Sequence, residues 1–288
     1  MPATRVLVLG ATGMLGHEAS RVLADRHDVH AAARDLERAH AADLPVTLHH
    51  FDALAPDSLR AVLDAAAPDV VLNAVGLVKQ LEEASRPVRA ITLNSLLPHR
   101  LAEACSARGA RLLHVSTDCV FAGTLAPPAA YTEADVPDAR DLYGRSKLLG
   151  EVTAPGHLTL RTSIIGRELG RVTGLLEWFL HESGPQLGGF THAYFSGLTT
   201  RALARVIDEL ITDHPDLTGL YHVSSEAIDK HRLLSLLDAA LERGHEIRPL
   251  DEPRINRALD SSRFRAATGI EIPSWEAMAH ELATERAA

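Results

Sequence analysis

Tyr143 and Lys147 stand four residues apart in the run Tyr143-Gly144-Arg145-Ser146-Lys147. On a helix that spacing puts both side chains on one face, with the ammonium beside the phenol oxygen. A free tyrosine has a pKa of about 10, too high for efficient proton transfer at neutral pH, and a neighbouring cation favours the phenolate and lowers it. A tyrosine so placed can act as the general acid that protonates an alkoxide forming as hydride reaches a carbonyl. Upstream, an apolar run ends in Ser116-Thr117-Asp118. Thr117, with Ser116 as second choice, can hold the carbonyl oxygen so that the developing charge meets a preorganised donor. A tyrosine and a lysine at this spacing also occur by chance in many helices. What gives the pair weight is its order in the chain, after a strand-end Ser-Thr and after a glycine loop.

That loop is Gly10-Ala11-Thr12-Gly13-Met14-Leu15-Gly16, set between the apolar run Val6-Leu7-Val8-Leu9 and a helical stretch. Without side chains at Gly10 and Gly13 the backbone can turn tightly and approach a pyrophosphate, whose charge is met by a helix N-terminus; Gly16 lets helix and sheet pack closely. Thr12, Met14 and Leu15 belong to the same phosphate-facing turn. The next strand-like run ends at Arg34, where an NAD-preferring protein usually places an acid for the ribose 2′-hydroxyl. Arginine there favours the 2′-phosphate of NADP, and Arg38, one turn on, can add a second contact. NADPH is thus the expected cofactor and NADH the second choice, since Asp35 can blunt the preference; a solvated loop arginine is the other reading of Arg34.

Such side chains converge only if a scaffold brings strand ends together. Of the 288 residues 46% are hydrophobic and 23% charged, the composition of an ordinary soluble globular protein with a sizeable core. Cys105 and Cys119 are the only cysteines, too few for a disulfide framework, and a reducing cytoplasm fits best. Met1 to Arg5 lead straight into a strand without the apolar segment of a signal peptide, and no run of about eighteen apolar residues could span a membrane. Twenty-nine basic against thirty-eight acidic residues, with scattered arginines, argue against nucleic acid as a partner. The histidines show no metal-ligand spacing; His49 and His50 point to opposite faces of a strand, so no metal is expected.

The first 160 residues alternate aliphatic runs with alanine-rich helical stretches, as in successive βαβ units. Strands are expected near 5–9, 28–33, 46–50, 69–74, 111–115 and 157–161, and helices near 14–25, 57–66, 87–108 and 141–152, the third interrupted or kinked around Pro98. The fold class is α/β: a Rossmann-type doubly wound parallel sheet with a smaller, interlocked C-terminal substrate domain. Residues 1–161, with sheet returns near 195–223, form the NADP-binding part; 162–194 and 224–288 form the substrate part, with amphipathic helices near 229–243 and 274–286. In doubly wound sheets ligands bind beyond the carboxyl ends of the strands, which is where the motifs lie.

Together these residues resemble the extended short-chain dehydrogenases/reductases, and within them the dTDP-4-dehydrorhamnose reductase group. The resemblance is carried by Gly10 to Gly16, Ser116-Thr117-Asp118-Cys119-Val120-Phe121, Tyr143 to Lys147, Arg161-Thr162-Ser163, Gly219-Leu220-Tyr221-His222-Val223 and Asn256 to Phe264. It implies NAD(P)H-dependent reduction of a nucleotide-linked 4-keto-6-deoxy sugar by a homodimer. It further implies that Thr117, Tyr143 and Lys147 are catalytic, that Tyr143 and Lys147 also touch the nicotinamide ribose, and that Asn94 supports the lysine. Asp52 resembles the residue that faces adenine, and Asn73-Ala74-Val75-Gly76 the loop closing over the adenosine ribose; Asp and Asn at such places are equally turn residues. Arg257 lies in the stretch facing the nucleotide-sugar, and Ser116 and Asp118 flank the reacting group.

The sugar-facing positions depart from the group. Leu77-Val78-Lys79-Gln80-Leu81-Glu82-Glu83 replaces a histidine-threonine stretch, Ile164 replaces a tryptophan, and Leu198-Thr199 replaces proline-threonine. Lys79, Gln80, Arg161 and Thr199 are candidates for substrate contacts, Lys79, Gln80 and Arg161 reading equally well as ordinary surface residues. The rivals are a nucleotide-sugar epimerase and a noncatalytic NADP-binding regulatory subunit. The 4,6-dehydratases carry a glutamate where Cys119 stands, and a thiol does not replace a carboxylate in that work.

Overall fold

The structure, a computed structural model, describes residues 3–79 and 85–284. The first half runs β1 (Arg5–Leu9), α1 (Met14–Leu23), β2 (Asp28–Ala33), α2 (Leu36–Ala41), β3 (Thr47–His50), α3 (Ser58–Ala66), β4 (Val70–Asn73), α4 (Pro87–Ala90), a π-helical turn (Ile91–Leu96), α5 (Leu97–Ser106), β5 (Arg111–Val115), α6 (Leu142–Leu149) and β6 (Leu158–Arg161). Then follow β7 (Ile164–Ile165), α7 (Leu175–His181), β8 (Gln186–Phe190), β9 (Ala193–Phe195), β10 (Leu198–Thr199), α8 (Thr200–Thr212), β11 (Gly219–His222), β12 (Ile228–Asp229), α9 (Lys230–Leu241), β13 (Glu246–Leu250), β14 (Ile255–Asn256), α10 (Ser262–Thr268) and α11 (Trp275–Thr284).

Seven strands form one parallel sheet in the order β11-β6-β5-β4-β1-β2-β3, the doubly wound α/β arrangement expected. Its central strands are apolar on both faces because helices cover both. Val6 and Val8 point into a core shared with α1 and α8, while Leu7 and Leu9 point into a second core with α3 and α5. In register, Leu9 sits opposite Ala32 on one side and Asn73 on the other. The strands therefore end together, and the residues that follow them, Gly10, Ala74 and Ser116, share one edge of the sheet. β11 returns from the second half to pair with β6, and α8 packs along α1.

Two features differ from the expected elements, while the break in the long third helix at Pro98 is as expected. The Arg34–Arg38 segment enters a short helix, α2, whose N-cap Asp35 accepts Arg38 N at 3.0 Å. The third helix is divided because Pro98 has no N–H to give the Asn94 carbonyl and the chain widens into a π turn just before it. The second half also holds short strands: β9 lies between β12 and β14, β8 pairs with β13, and β7 with β10. They are two to five residues long, too short for a period-2 pattern to stand out. No helix among the described residues is long and apolar enough to cross a membrane.

Candidate active site

The glycine loop wraps closely around the end of β1. Gly10 has φ of +92°, a left-handed conformation glycine adopts without strain, and a Cβ there would meet the Ala74 carbonyl at 3.0 Å. A Cβ on Gly16 would run into the Gly10 carbonyl, so these two glycines build the turn from behind. In front, Thr12, Gly13, Met14 and Leu15 line a cavity of about 490 Å³. The N-cap of α1 is Gly13, which supplies no side-chain acceptor, leaving the first backbone N–H groups of the helix to a ligand. That is the donor set a pyrophosphate needs.

Thr117, Tyr143 and Lys147 lie on the wall of the same cavity. Asp141 caps α6 by accepting Gly144 N at 2.8 Å, and Gly144 is required because a Cβ would strike the Cys119 carbonyl. The helix thus seats against the segment after β5, where Tyr143 and Thr117 line the cavity together. Lys147 Nζ donates to the Val115 carbonyl at 2.7 Å. The expected lowering of the phenol pKa by Lys147 is not what the protein alone provides. Burial, then the Cys119 sulfur and the carboxylates of Asp118 and Asp141, hold it above the usual tyrosine range. Burial also pushes Lys147 down to about 8, opposed by Glu151. A phenol so placed stays protonated at neutral pH, the form a proton donor needs.

Other expected contacts divide into two groups. Ala74, Gly76, Lys79, Ser116, Asp118 and Arg257 line the cavity. Lys79 is ion-paired with Asp141 at 2.8 Å, Arg257 Nε donates to the Phe121 carbonyl at 2.9 Å, and Ser116 Oγ is turned to Glu151 at 2.8 Å. Asp118 is buried, its pKa raised by that burial. Asn73 and Asn94 act from behind. Asn73 Oδ1 accepts Val75 N at 3.1 Å, and Asn94 accepts Leu77 N at 2.8 Å while donating to Ser146 Oγ at 3.1 Å. Both shape the loop after β4, and Asn94 ties it to α6.

Besides Gly10, Gly16, Asn73 and Asn94, four expected residues are not brought to the cavity. Arg34 is exposed; α2 turns Arg38 inward in its place. Asp52 closes a turn, accepting Leu54 N at 3.0 Å. Thr199 caps α8, accepting Ala202 N at 3.2 Å. Arg161 is sealed in the interior, where two bonds of 2.7 Å join it to Glu151. Gln80 lies outside the described residues. Two cavity cations went unread in the sequence: Arg171, close enough to Arg38 to lower its pKa further, and Lys230, at the start of α9. Neither sits in a local motif. Arg171 is carried by a loop tied through Glu168, which accepts Thr173 N at 2.7 Å and Gly174 N at 2.6 Å.

A family model described as the RmlD substrate binding domain matches residues 4–287. The chain belongs to this family. A dTDP-4-dehydrorhamnose reductase from Sinorhizobium fredii is 29% identical over 251 residues, covering 79% of this chain and 83% of that one. Another from Salmonella typhimurium is 26% identical over 305 residues, covering 97% of each. Among solved structures, a dTDP-4-dehydrorhamnose reductase from Bacillus anthracis in complex with NADP superposes with a TM-score of 0.82 over 98% of this chain and 99% of that one, at 20% identity, a likeness of fold. The family thus accounts for nearly the whole chain, including the loop that carries Arg171 and the helix that begins at Lys230.

Proposed function

We propose that the protein is an NADPH-dependent oxidoreductase that reduces the carbonyl of a nucleoside-diphosphate 4-keto-6-deoxy sugar, in the manner of the dTDP-4-dehydrorhamnose reductases it resembles. The observation that carries the reading is that Thr117, Tyr143 and Lys147 line the same cavity as the uncapped N-terminus of α1. Bound there, NADPH supplies the hydride. The chain supplies the rest: backbone N–H groups at Thr12 to Leu15 for the pyrophosphate, and Arg38 with Arg171 for a further phosphate. Thr117 Oγ1, turning its one proton from Asp118 Oδ1, donates to the carbonyl oxygen, and Tyr143, protonated, delivers its phenolic proton to that oxygen as charge develops. Lys147, anchored by the Val115 carbonyl, faces the same pocket and can bond a ribose hydroxyl.

Burial pushes the Cys119 thiol up to about 12, so it is neutral and offers no base for dehydration. The segments 162–194 and 224–288 form the substrate side in this reading; Ala193, Tyr194 and Ile255 reach the cavity from there. We place the enzyme in the cytoplasm as a homodimer. The two free thiols support the first. The exposed Val88, Ile91 and Leu96, with Leu149 on the neighbouring α6, support the second.

The test is to supply NADPH with dTDP-, UDP-, GDP- and CDP-linked 4-keto sugars and follow the reduced nicotinamide. Stoichiometric loss of NADPH supports a reductase. Product formed with no net loss identifies an epimerase, and tight NADPH binding without turnover across the panel identifies a regulatory module.

A further inference from the structure

Lys230 stands where the protein alone gives an ammonium little reason to be. It is the first residue of α9, after the N-cap Asp229, whose carboxylate is turned to Arg232 N at 2.8 Å. A cation there meets the positive end of the helix dipole. Its Nζ lies 3.4 Å from the centre of the Phe195 ring, and among the described residues no hydrogen bond or ion pair ends on it. Burial pushes its pKa down to about 8, with Asp118 the main group opposing the loss of its proton. An ammonium has three donors, and this half-buried one, set against an aromatic face, leaves them to whatever fills the cavity. The side chain lines the cavity, whose wall also holds Asp118, next to the catalytic threonine in the chain.

That carboxylate also has capacity to spare. Asp118 Oδ1 accepts the Thr117 hydroxyl at 3.2 Å, the Cys119 thiol contacts it as well, and a carboxylate has about four lone-pair sites. An unmet donor opposite a part-filled acceptor is complementary to a hydroxyl group, which accepts from one and donates to the other. A methylene or a second carbonyl cannot do both. Because Asp118 directly follows Thr117, which holds the reacting oxygen in the proposed function, the hydroxyl read in this way belongs to the carbon next to the carbonyl.

We infer that Lys230 and Asp118 together read a hydroxyl on the carbon beside the reacting carbonyl, making the site selective for an α-hydroxy ketone of a sugar over its deoxy counterpart. The inference rests on the proposed function and adds the feature of the sugar that is recognised.

The experiment compares wild type with Lys230→Met on dTDP-4-keto-6-deoxyglucose and its 3-deoxy counterpart, with saturating NADPH. Wild type should favour the hydroxylated sugar in kcat/KM by about 100-fold or more. In Lys230→Met that preference should fall to within about tenfold. The loss should appear chiefly as a higher KM for the hydroxylated sugar, the NADPH dissociation constant should be unchanged, and Lys230→Arg should restore part of the preference. The melting temperature of Lys230→Met should lie close to that of wild type, because the half-buried ammonium it removes contacts the Phe195 ring but ends no hydrogen bond or ion pair. A folded Lys230→Met with the wild-type preference overturns the assignment and leaves the proposed function standing. Wild type that binds NADPH but consumes none with either sugar overturns both.

Discussion

Replacing Arg161 by methionine separates two roles for a residue whose position after β6 suggested a substrate contact. In the structure Arg161 and Glu151 are nearly sealed, with 5% and 6% of their side chains exposed, and two bonds of 2.7 Å join them. Ser116 Oγ adds a third bond to the same carboxylate, and the guanidinium lies 5.2 Å from the centre of the Phe121 ring. Methionine keeps much of the volume but leaves the Glu151 carboxylate buried with Ser116 as its remaining hydrogen-bond donor. Removing one partner of a buried pair costs about 3–5 kcal/mol, whereas replacing both by apolar groups is close to neutral. At roughly 2–4 °C per kcal/mol for a chain of this size, Arg161→Met should melt about 6–20 °C below wild type. Arg161→Met combined with Glu151→Leu should recover most of that loss. Calorimetry measures the shift, and KM for the nucleotide-sugar, taken well below the melting range, should stay near the wild-type value. A variant that melts like wild type but binds sugar poorly would refute the structural role.

Tyr143→Phe should cut turnover by about 100-fold or more while leaving NADPH affinity nearly unchanged; full activity in that variant removes the tyrosine from the mechanism. Arg38→Ala and Arg171→Ala should each weaken NADPH by about 1.5–3 kcal/mol with little effect on NADH, measured by quenching of nicotinamide fluorescence. Arg34→Ala should do much less, and an equal loss there would show that the exposed arginine is the one that counts. Stability should rise between pH 8 and 9. Folded Lys147 and Lys230, both pushed down to about 8, have begun to release protons that an unfolded lysine, with a pKa of about 10.4, still holds. Above pH 9 the thiols of Cys105 and Cys119, pushed up to about 12 when folded, act in the opposite sense. Denaturant unfolding at closely spaced pH values checks this, and Lys147→Met should flatten the rise; a variant with the same slope as wild type would contradict it.

The sheet was legible because its strands are buried on both faces and so read as aliphatic runs, Val6 to Leu9 and Val70 to Leu72 among them. The glycine loop and the Tyr143–Lys147 pair were legible because each is local: a turn or a single helix face fixes its geometry. Arg161 was misjudged because a strand-end arginine looks the same in sequence whether it faces solvent or an acid ten residues away. Lys230 and Arg171 were invisible for a related reason. Each arrives at the cavity through tertiary packing of short strands and a tied loop, and only the folded chain shows that Phe195 and Asp118, or Arg38, are waiting there.

The π turn between α4 and α5 gives the chain a setting of phase. Residues on an α-helix advance by about 100°, so one residue more or fewer rotates everything downstream by that angle relative to everything upstream. Here the turn lets Asn94 reach Leu77 and Ser146 while Leu97 and Leu101 still meet the core beyond it, two demands that a regular helix of the same length would set against each other. Gly150, whose Cβ would strike the Asn94 carbonyl, lets α6 close against the widened turn. The asparagine, the proline and the glycine therefore form a single indexing device: deleting one residue between Ile91 and Leu96 would leave a straighter helix with an intact core face, and would turn the active-site loop away from Lys147.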